Sequence, residues 1–425
     1  MDKVDLISHR FSRAKLDRAW SFHGYRSGDQ WSHAYHRYPA RFIPELVNKL
    51  IDTYSKENDT IADFFAGCGT TLVESKIHGR KSIGIDINPV ARLITKAKIN
   101  AIHPNKLEHA YESLERDVEN YSYNKDQVLR KHKRIDYWFR KREKQKIAFL
   151  YSKILRLEDS KTRDFFLCAL SNILKNCSKW LQSSTKPQID PKKKPADPFE
   201  LFPRHSSMMM RKNKEFYDTL SERGYLDAQC SIKTADARKT GLPSSSIGII
   251  ITSPPYVTSY EYADIHQLTG YWFDYVEDIS SFRKRFIGTF FSNNQNLTTR
   301  DEMAQRIVNN LCTRDKKVAR EVARYFEDMY DVAVEMKRVL RKRGRLCLVI
   351  GNTTMRGVKI RSAETFVSTL KSLDFRIEKI IRRTIPHKYK SIPTIRDKKT
   401  GRFSKLSSKN SKLVYPNEYI IVARK

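Results

Sequence analysis

The sequence predicts an α/β fold: a doubly wound, mostly parallel sheet with a helical subdomain inserted into it. Three observations carry this expectation. Ile61-Ala62-Asp63-Phe64-Phe65 is a buried-strand pattern that runs into Ala66-Gly67-Cys68-Gly69-Thr70-Thr71 and then into the helical Leu72-Val73-Glu74-Ser75-Lys76, so strand, glycine loop and helix follow one another directly. Other apolar runs end in an acid or in a stiff turn: Ser82-Ile83-Gly84-Ile85 before Asp86, Ile232-Lys233-Thr234-Ala235 before Asp236, and Ile247-Gly248-Ile249-Ile250-Ile251 before Thr252-Ser253-Pro254-Pro255-Tyr256. The chain between Asp86 and Asp236 is too long for a simple crossover, so something is inserted there.

The elements follow in order. Phe42 and Ile43 staple a helix over residues 45–51, and a helix follows Asn88-Pro89. From about residue 105 the pattern is helical and charged, with Ile147, Leu150, Ile154 and Leu157, then Phe166, Leu170, Ile173 and Leu174, repeating at helix spacing. Pro187, Pro191, Pro195, Pro198 and Pro203 around Lys192-Lys193-Lys194, followed by Ser206 to Lys214, predict an extended, mobile arm. Beyond the Ser-Pro-Pro turn, Phe326, Met329, Ala333, Met336 and Leu340 mark an amphipathic helix, residues 345–352 a buried strand, and residues 375–381 and 418–423 two closing strands. Three parts result: 1–98, a helical insertion 99–228 ending in the Pro/Lys-rich arm, and 229–425, which contains a basic segment 382–412.

The strand ends carry the chemistry. Gly67 and Gly69 let a ligand approach the backbone, and Thr70 or Thr71 can cap a helix whose N-terminus favours an anionic group. Asp86 lies about as far past the glycines as the acids that meet ribose hydroxyls in nucleotide-binding sheets. Asp236 ends a third strand and can accept from an adenine amino group. In Ser253-Pro254-Pro255-Tyr256 the serine Oγ and the Pro254 carbonyl are acceptors, the prolines fix φ and remove two donors, and Tyr256 offers a stacking face. Two acceptors gripping the N–H groups of an amino-bearing ring favour the pyramidal nitrogen that can attack an electrophile.

Taken together, Asp63-Phe64-Phe65-Ala66-Gly67-Cys68-Gly69-Thr70 and Ser253-Pro254-Pro255-Tyr256 resemble the motifs of the DNA amino-methyltransferases that use S-adenosylmethionine. The resemblance covers roughly the first hundred residues and the last two hundred. It implies a seven-stranded, Rossmann-like methyltransferase sheet with one antiparallel member. It also implies a cofactor site made of Asp63, Gly67, Gly69, Thr70, Thr71, Asp86 with its neighbour Ile87, and Asp236 with its neighbour Ala237. The segment from His36 to Pro44 is similar to the family's N-terminal wrap over the methionine end of the cofactor, which adds Tyr38 and Phe42; His36 is expected to be structural. Ser253, Pro254, Pro255 and Tyr256 are the implied catalytic residues. A serine before the two prolines leans toward N4 of cytosine, an aspartate toward N6 of adenine. The implied partner is double-stranded DNA with a flipped target base, accompanied by a cognate restriction endonuclease; oligomeric state is left open. An N6-adenine enzyme, an RNA base methyltransferase and a catalytically silent nucleic-acid-binding module are the alternatives. Here the cofactor half precedes the catalytic motif, unlike many serine-type relatives, so recognition residues do not transfer; the helices and arm of the insertion are the expected recognition region.

Composition agrees. The formal net charge of +33 over 425 residues favours a polyanionic partner. Residues 382–412 hold eleven basic residues against Asp397 alone, with Tyr389 and Phe403 interleaved, and are expected to contact DNA. The segment Thr258 to His266, with Tyr262, Asp264 and His266, is expected to overlie the base pocket as a hydrogen-bonded network or a target contact. The six cysteines show no Cys-x-x-Cys pair and none follows a proline, which argues against a metal site and against covalent attack on a pyrimidine C5; they read as reduced thiols of a cytoplasmic protein. No signal peptide or membrane span is expected.

Overall fold

The structure of the chain, a computed structural model, describes residues 2–22, 27–122, 132–257, 261–289, 296–384, 391–393, 411–413 and 418–425. Most of the basic segment, with Tyr389 and Phe403, and the stretch Thr258 to Tyr260 lie outside the described residues. One sheet organises the rest. Its strands are β1 (Ile61–Asp63), β2 (Ser82–Asp86), β3 (Cys230–Thr234), β4 (Ile247–Thr252), β5 (Leu340–Gly351), β6 (Arg376–Arg383) and β7 (Glu418–Arg424), in the spatial order β3-β2-β1-β4-β5-β7-β6. β7 runs antiparallel to both neighbours, while β3, β2, β1, β4 and β5 pair in parallel. The chain winds outward from β1 in one direction and from β4 in the other. The crevice at their carboxyl ends is where such sheets place ligands.

The apolar run of β4 is explained by burial on both faces. Ile250 joins a core with Val322, Met329, Val332 and Met336 of the helix Lys316–Val339. Ile249 and Ile251 face the other way, onto Leu46, Val47, Leu50 and Ile51 of α2 (Pro44–Tyr54), α1 being Lys3–Ser12. α3 (Thr70–Ile77) and α4 (Pro89–Ile99) follow β1 and β2.

The insertion contains α5 (Pro104–Glu119), α6 (Lys133–Trp138), α7 (Lys141–Leu155), α8 (Ser160–Ile173) and α9 (Pro198–Glu222). Ile147, Leu150 and Ile154 of α7 and Phe166, Leu170 and Ile173 of α8 are buried, as their spacing requires. The expected extended arm is corrected here. Residues 187–197 fold back, with a bridge between Trp180 and Ile189 and the Lys193 ammonium donating to the carbonyls of Lys175 and Trp180 at 2.7 Å. The Ser206 to Lys214 stretch is helical within α9. Pro198 occupies the first helical turn, where a missing N–H costs nothing, and Asp197 caps it by accepting from Phe199 N at 2.9 Å. Phe202, Met209, Phe216 and Leu220 are then buried along α9, burial that outweighs the one hydrogen bond Pro203 forgoes.

The insertion shares its core with the segment after the Ser-Pro-Pro turn. Trp138 Nε1 donates to Gln267 Oε1 at 3.3 Å, Phe139 meets Trp272 edge-on at 5.6 Å, Tyr151 stacks on Phe273 at 5.1 Å, and the hydroxyls of Ser171 and Thr269 lie 2.7 Å apart.

Candidate active site

Asp63 fastens the glycine loop to the neighbouring strand β4. Its Oδ1 accepts from Phe65 N at 3.0 Å and from Thr252 Oγ1 of β4 at 2.7 Å, and its Oδ2 accepts from Thr71 Oγ1 of α3 at 2.6 Å. Burial pushes this carboxyl up from its ordinary range, and the three donors pull it back part of the way. Thr71 is thereby committed to the interior. Neither threonine caps α3 through its side chain, as the sequence had implied; the cap is Gly69, with φ +77°. A helix starting from a left-handed residue needs glycine there, and that need displaces the threonines by one and two positions.

Gly67 also has positive φ, and a Cβ on it would come within 3.2 Å of the Tyr38 ring. The bare backbone thus admits the N-terminal segment against the loop. Asp86 holds this loop from β2: Oδ2 accepts from Gly67 N and Oδ1 from Asn88 N, both at 2.8 Å. Burial raises its carboxyl to about 6 despite those bonds. Each oxygen keeps a further lone pair for a ligand hydroxyl. At the end of β3, Asp236 receives a two-pronged pair from Arg238, Nε to Oδ1 at 3.0 Å and Nη2 to Oδ2 at 2.6 Å. Burial would raise its carboxyl, but the guanidinium holds it below the usual range.

The turn after β4 is braced from three sides. Tyr325 OH of the helix Lys316–Val339 donates to the Pro255 carbonyl at 2.9 Å, Pro254 is buried, and Tyr256 OH donates to Glu418 Oε1 at the start of β7. The other oxygen of Glu418 accepts from Arg383 Nη1 at 2.7 Å, and Arg383 is only 1% exposed. Its Nε and Nη2 have no hydrogen-bond partner among the described residues.

A single cavity of about 850 Å³ unites these parts. Tyr38, Phe42, Asp63, Gly67, Thr70, Asp86, Ile87, Asp236 and Ala237 line it together with Ser253, Pro254, Pro255 and Tyr256. Gly69 and Thr71 do not; they shape the wall from behind. A nucleoside with an amino-acid tail and a second, flat base fit the volume, and carboxylates at two strand ends beside a glycine loop are the acceptors that ribose hydroxyls and a ring amino group require. Arg383 and Glu418 also line the cavity, and reading the sequence missed both. Arg383 was hidden at the head of the basic segment; the cross-strand pairing of Arg383 with Glu418 is the feature that singles it out.

In the overlying segment Tyr262, Asp264 and His266 are each held by a neighbour. Tyr262 stacks on Tyr38 at 5.8 Å, Asp264 accepts from Arg283 Nε at 2.7 Å, and His266 Nδ1 lies 2.9 Å from Asn88 Nδ2. Burial pushes the His266 imidazole down to about 4, so it is neutral at physiological pH. His36 lines the cavity as well, with its ring nitrogens 2.8 Å from the Arg37 carbonyl and 3.0 Å from Ser171 Oγ. All six cysteines are free thiols, and no cluster able to hold a metal ion occurs among the described residues. No described helix is long and apolar enough to cross a membrane.

The chain is similar in sequence to several DNA methyltransferases. Residues 3–98 match the family described as DNA methylase. The type II methyltransferase M.MvaI of Kocuria varians is 25% identical over 370 residues, spanning 77% of this chain and 78% of that protein. M.MjaII of Methanocaldococcus jannaschii is 36% identical over 92 residues, 22% of this chain and 17% of its own length. M.BsoBI of Geobacillus stearothermophilus is 37% identical over 89 residues, 20% of this chain and 18% of its own length.

Proposed function

We propose that this chain, an S-adenosylmethionine-dependent amino-methyltransferase of the N4/N6 family, methylates N4 of a cytosine within a specific DNA sequence as the modifying half of a restriction-modification pair. The observation that carries the reading is the common cavity: β1 and β4 are adjacent, Thr252 is bonded to Asp63, and the glycine loop and the Ser-Pro-Pro turn open into the same space. When bound, the cofactor supplies a methyl group on a positively charged sulfur, which an amine can displace.

The residues then have these roles. Asp86 takes the ribose hydroxyls, Asp236 the adenine amino group, and Gly67 and Thr70 allow close approach to the backbone. Tyr38 and Phe42 cover the methionine end. Ser253 Oγ and the Pro254 carbonyl accept from the two N–H groups of the target amine, drawing its lone pair out of conjugation with the ring. Tyr256, tethered by Glu418, presents its face to the flipped base, whose extrusion costs roughly a few kcal/mol that phosphate and stacking contacts must offset. The amine's surplus proton leaves to water after the displacement, so positioning and electrostatics are the main terms. Serine at the head of the turn supports cytosine, and the charge of +33 supports DNA.

The test is labelled-methyl transfer to duplex DNA, transfer RNA and ribosomal RNA, followed by mass spectrometry of the nucleosides. N4-methylcytosine in DNA is expected; N6-methyladenine or label confined to RNA overturns the reading. Ser253→Ala is expected to leave cofactor binding unchanged by calorimetry and to lower turnover ~10²-fold, the usual weight of one preorganised hydrogen-bonding group.

A further inference from the structure

We propose that Arg383 reads the target base, its Nε–H and Nη2–H donating to N3 and O2 of cytosine while Glu418 holds the guanidinium by Nη1. The inference rests on the cytosine reading above and adds to it the residue that makes the distinction. A guanidinium at 1% exposure with two donor groups unmet among the described residues carries a desolvation cost that a ligand can relieve. Nε and Nη2 form one edge of the guanidinium, a planar fork suited to two adjacent acceptors. That edge belongs to a residue lining the same cavity as Ser253, Pro254 and Tyr256.

The sheet explains how Arg383 comes to this cavity. Arg383 ends β6 and Glu418 begins β7, and the two are direct cross-strand partners at the carboxyl edge from which the Ser-Pro-Pro turn emerges. Glu418 therefore spans two groups, the Arg383 guanidinium and the Tyr256 hydroxyl, and fixes the donor fork relative to the stacking ring. A base whose amino group lies between Ser253 and Pro254 offers its remaining pairing edge to whatever stands beyond. In cytosine that edge carries two acceptors in succession, N3 and O2. In adenine it carries N1 and then a C–H, which would leave one N–H of the buried guanidinium unsatisfied. Rejection of adenine then follows from the unpaired donor rather than from size.

The experiment uses the full-length protein and duplexes containing its mapped target site. The target cytosine is either natural or replaced by the 2-aminopyridine C-nucleoside, which keeps the amino group and the neighbouring ring nitrogen and lacks the carbonyl. The wild type is expected to prefer cytosine in kcat/KM by roughly 10²-fold, and Arg383→Met to lower kcat/KM on cytosine by about the same factor while bringing the two substrates to within roughly threefold of each other, cofactor affinity being unchanged. Equal losses on both substrates in Arg383→Met would show that Arg383 only supports Tyr256, and would overturn the proposal. A wild type that does not distinguish the two bases overturns it without any variant, which covers the case of a variant that fails to fold. A wild type that methylates only adenine removes the cytosine reading itself, before Arg383 is changed.

Discussion

The hydrogen bonds of Asp86 and its burial pull its carboxyl in opposite directions. Asp86 clamps the glycine loop through Gly67 N and it is proposed to receive the ribose, yet burial raises it to about 6. The sign follows: an acid raised in the folded chain is free of penalty below its ordinary pKa near 4, and the cost of ionising it grows with pH through about 6 and is full at neutrality. Ribose hydroxyls donate, so they favour the ionised form, and binding should expel a proton. Cofactor affinity is therefore expected to be level from pH 7 to 8 and to weaken below pH 6, approaching ~tenfold per pH unit, with Asp86→Asn flattening the profile; calorimetry across pH checks this. Asp86 was legible in the sequence because strand, terminal acid and distance from the glycines are all local. Arg383 and Glu418 were not, because their meeting depends on the antiparallel register of strands 35 residues apart, which no short motif encodes.

Among elements, the loop into α3 shows how backbone conformation and packing act together. Gly69 has φ +77°, and a Cβ there would lie 2.7 Å from the Thr95 side chain on α4. Gly224, past the end of α9, has nearly the same φ of +72° with nothing within 4 Å of that position. Gly224→Ala is expected to cost only the left-handed strain, about 1 kcal/mol, and Gly69→Ala about 2–4 kcal/mol because the Thr95 contact is added; denaturant unfolding of both variants separates the two terms. The helices of the insertion were legible from their 3.6-residue spacing. α9 was misread because its prolines look like breakers, whereas Pro198 sits where a helix tolerates one and the later apolar positions are buried strongly enough to carry the helix past Pro203.

Across the whole molecule, the charge of +33 sets how binding should respond to salt. If six or more phosphates are contacted, DNA affinity is expected to fall about 10³-fold or more between 50 and 200 mM salt, while cofactor affinity, which releases no such row of counterions, barely changes. Fluorescence anisotropy and calorimetry over that range test the contrast; a flat DNA response would remove the electrostatic argument for the partner. The sheet itself was foreseeable, since uninterrupted apolar strands must be covered on both faces and the long gap between β2 and β3 had to be an insertion. How that insertion attaches was not, because aromatic pairs such as Phe139 with Trp272 and Tyr151 with Phe273 join segments more than a hundred residues apart. That seam has a practical meaning for anyone wishing to exchange the insertion. Transplanting residues 99–228 alone from a homologue would leave an unmatched aromatic surface on the recipient, so a workable chimera must carry residues 261–286 along with the graft.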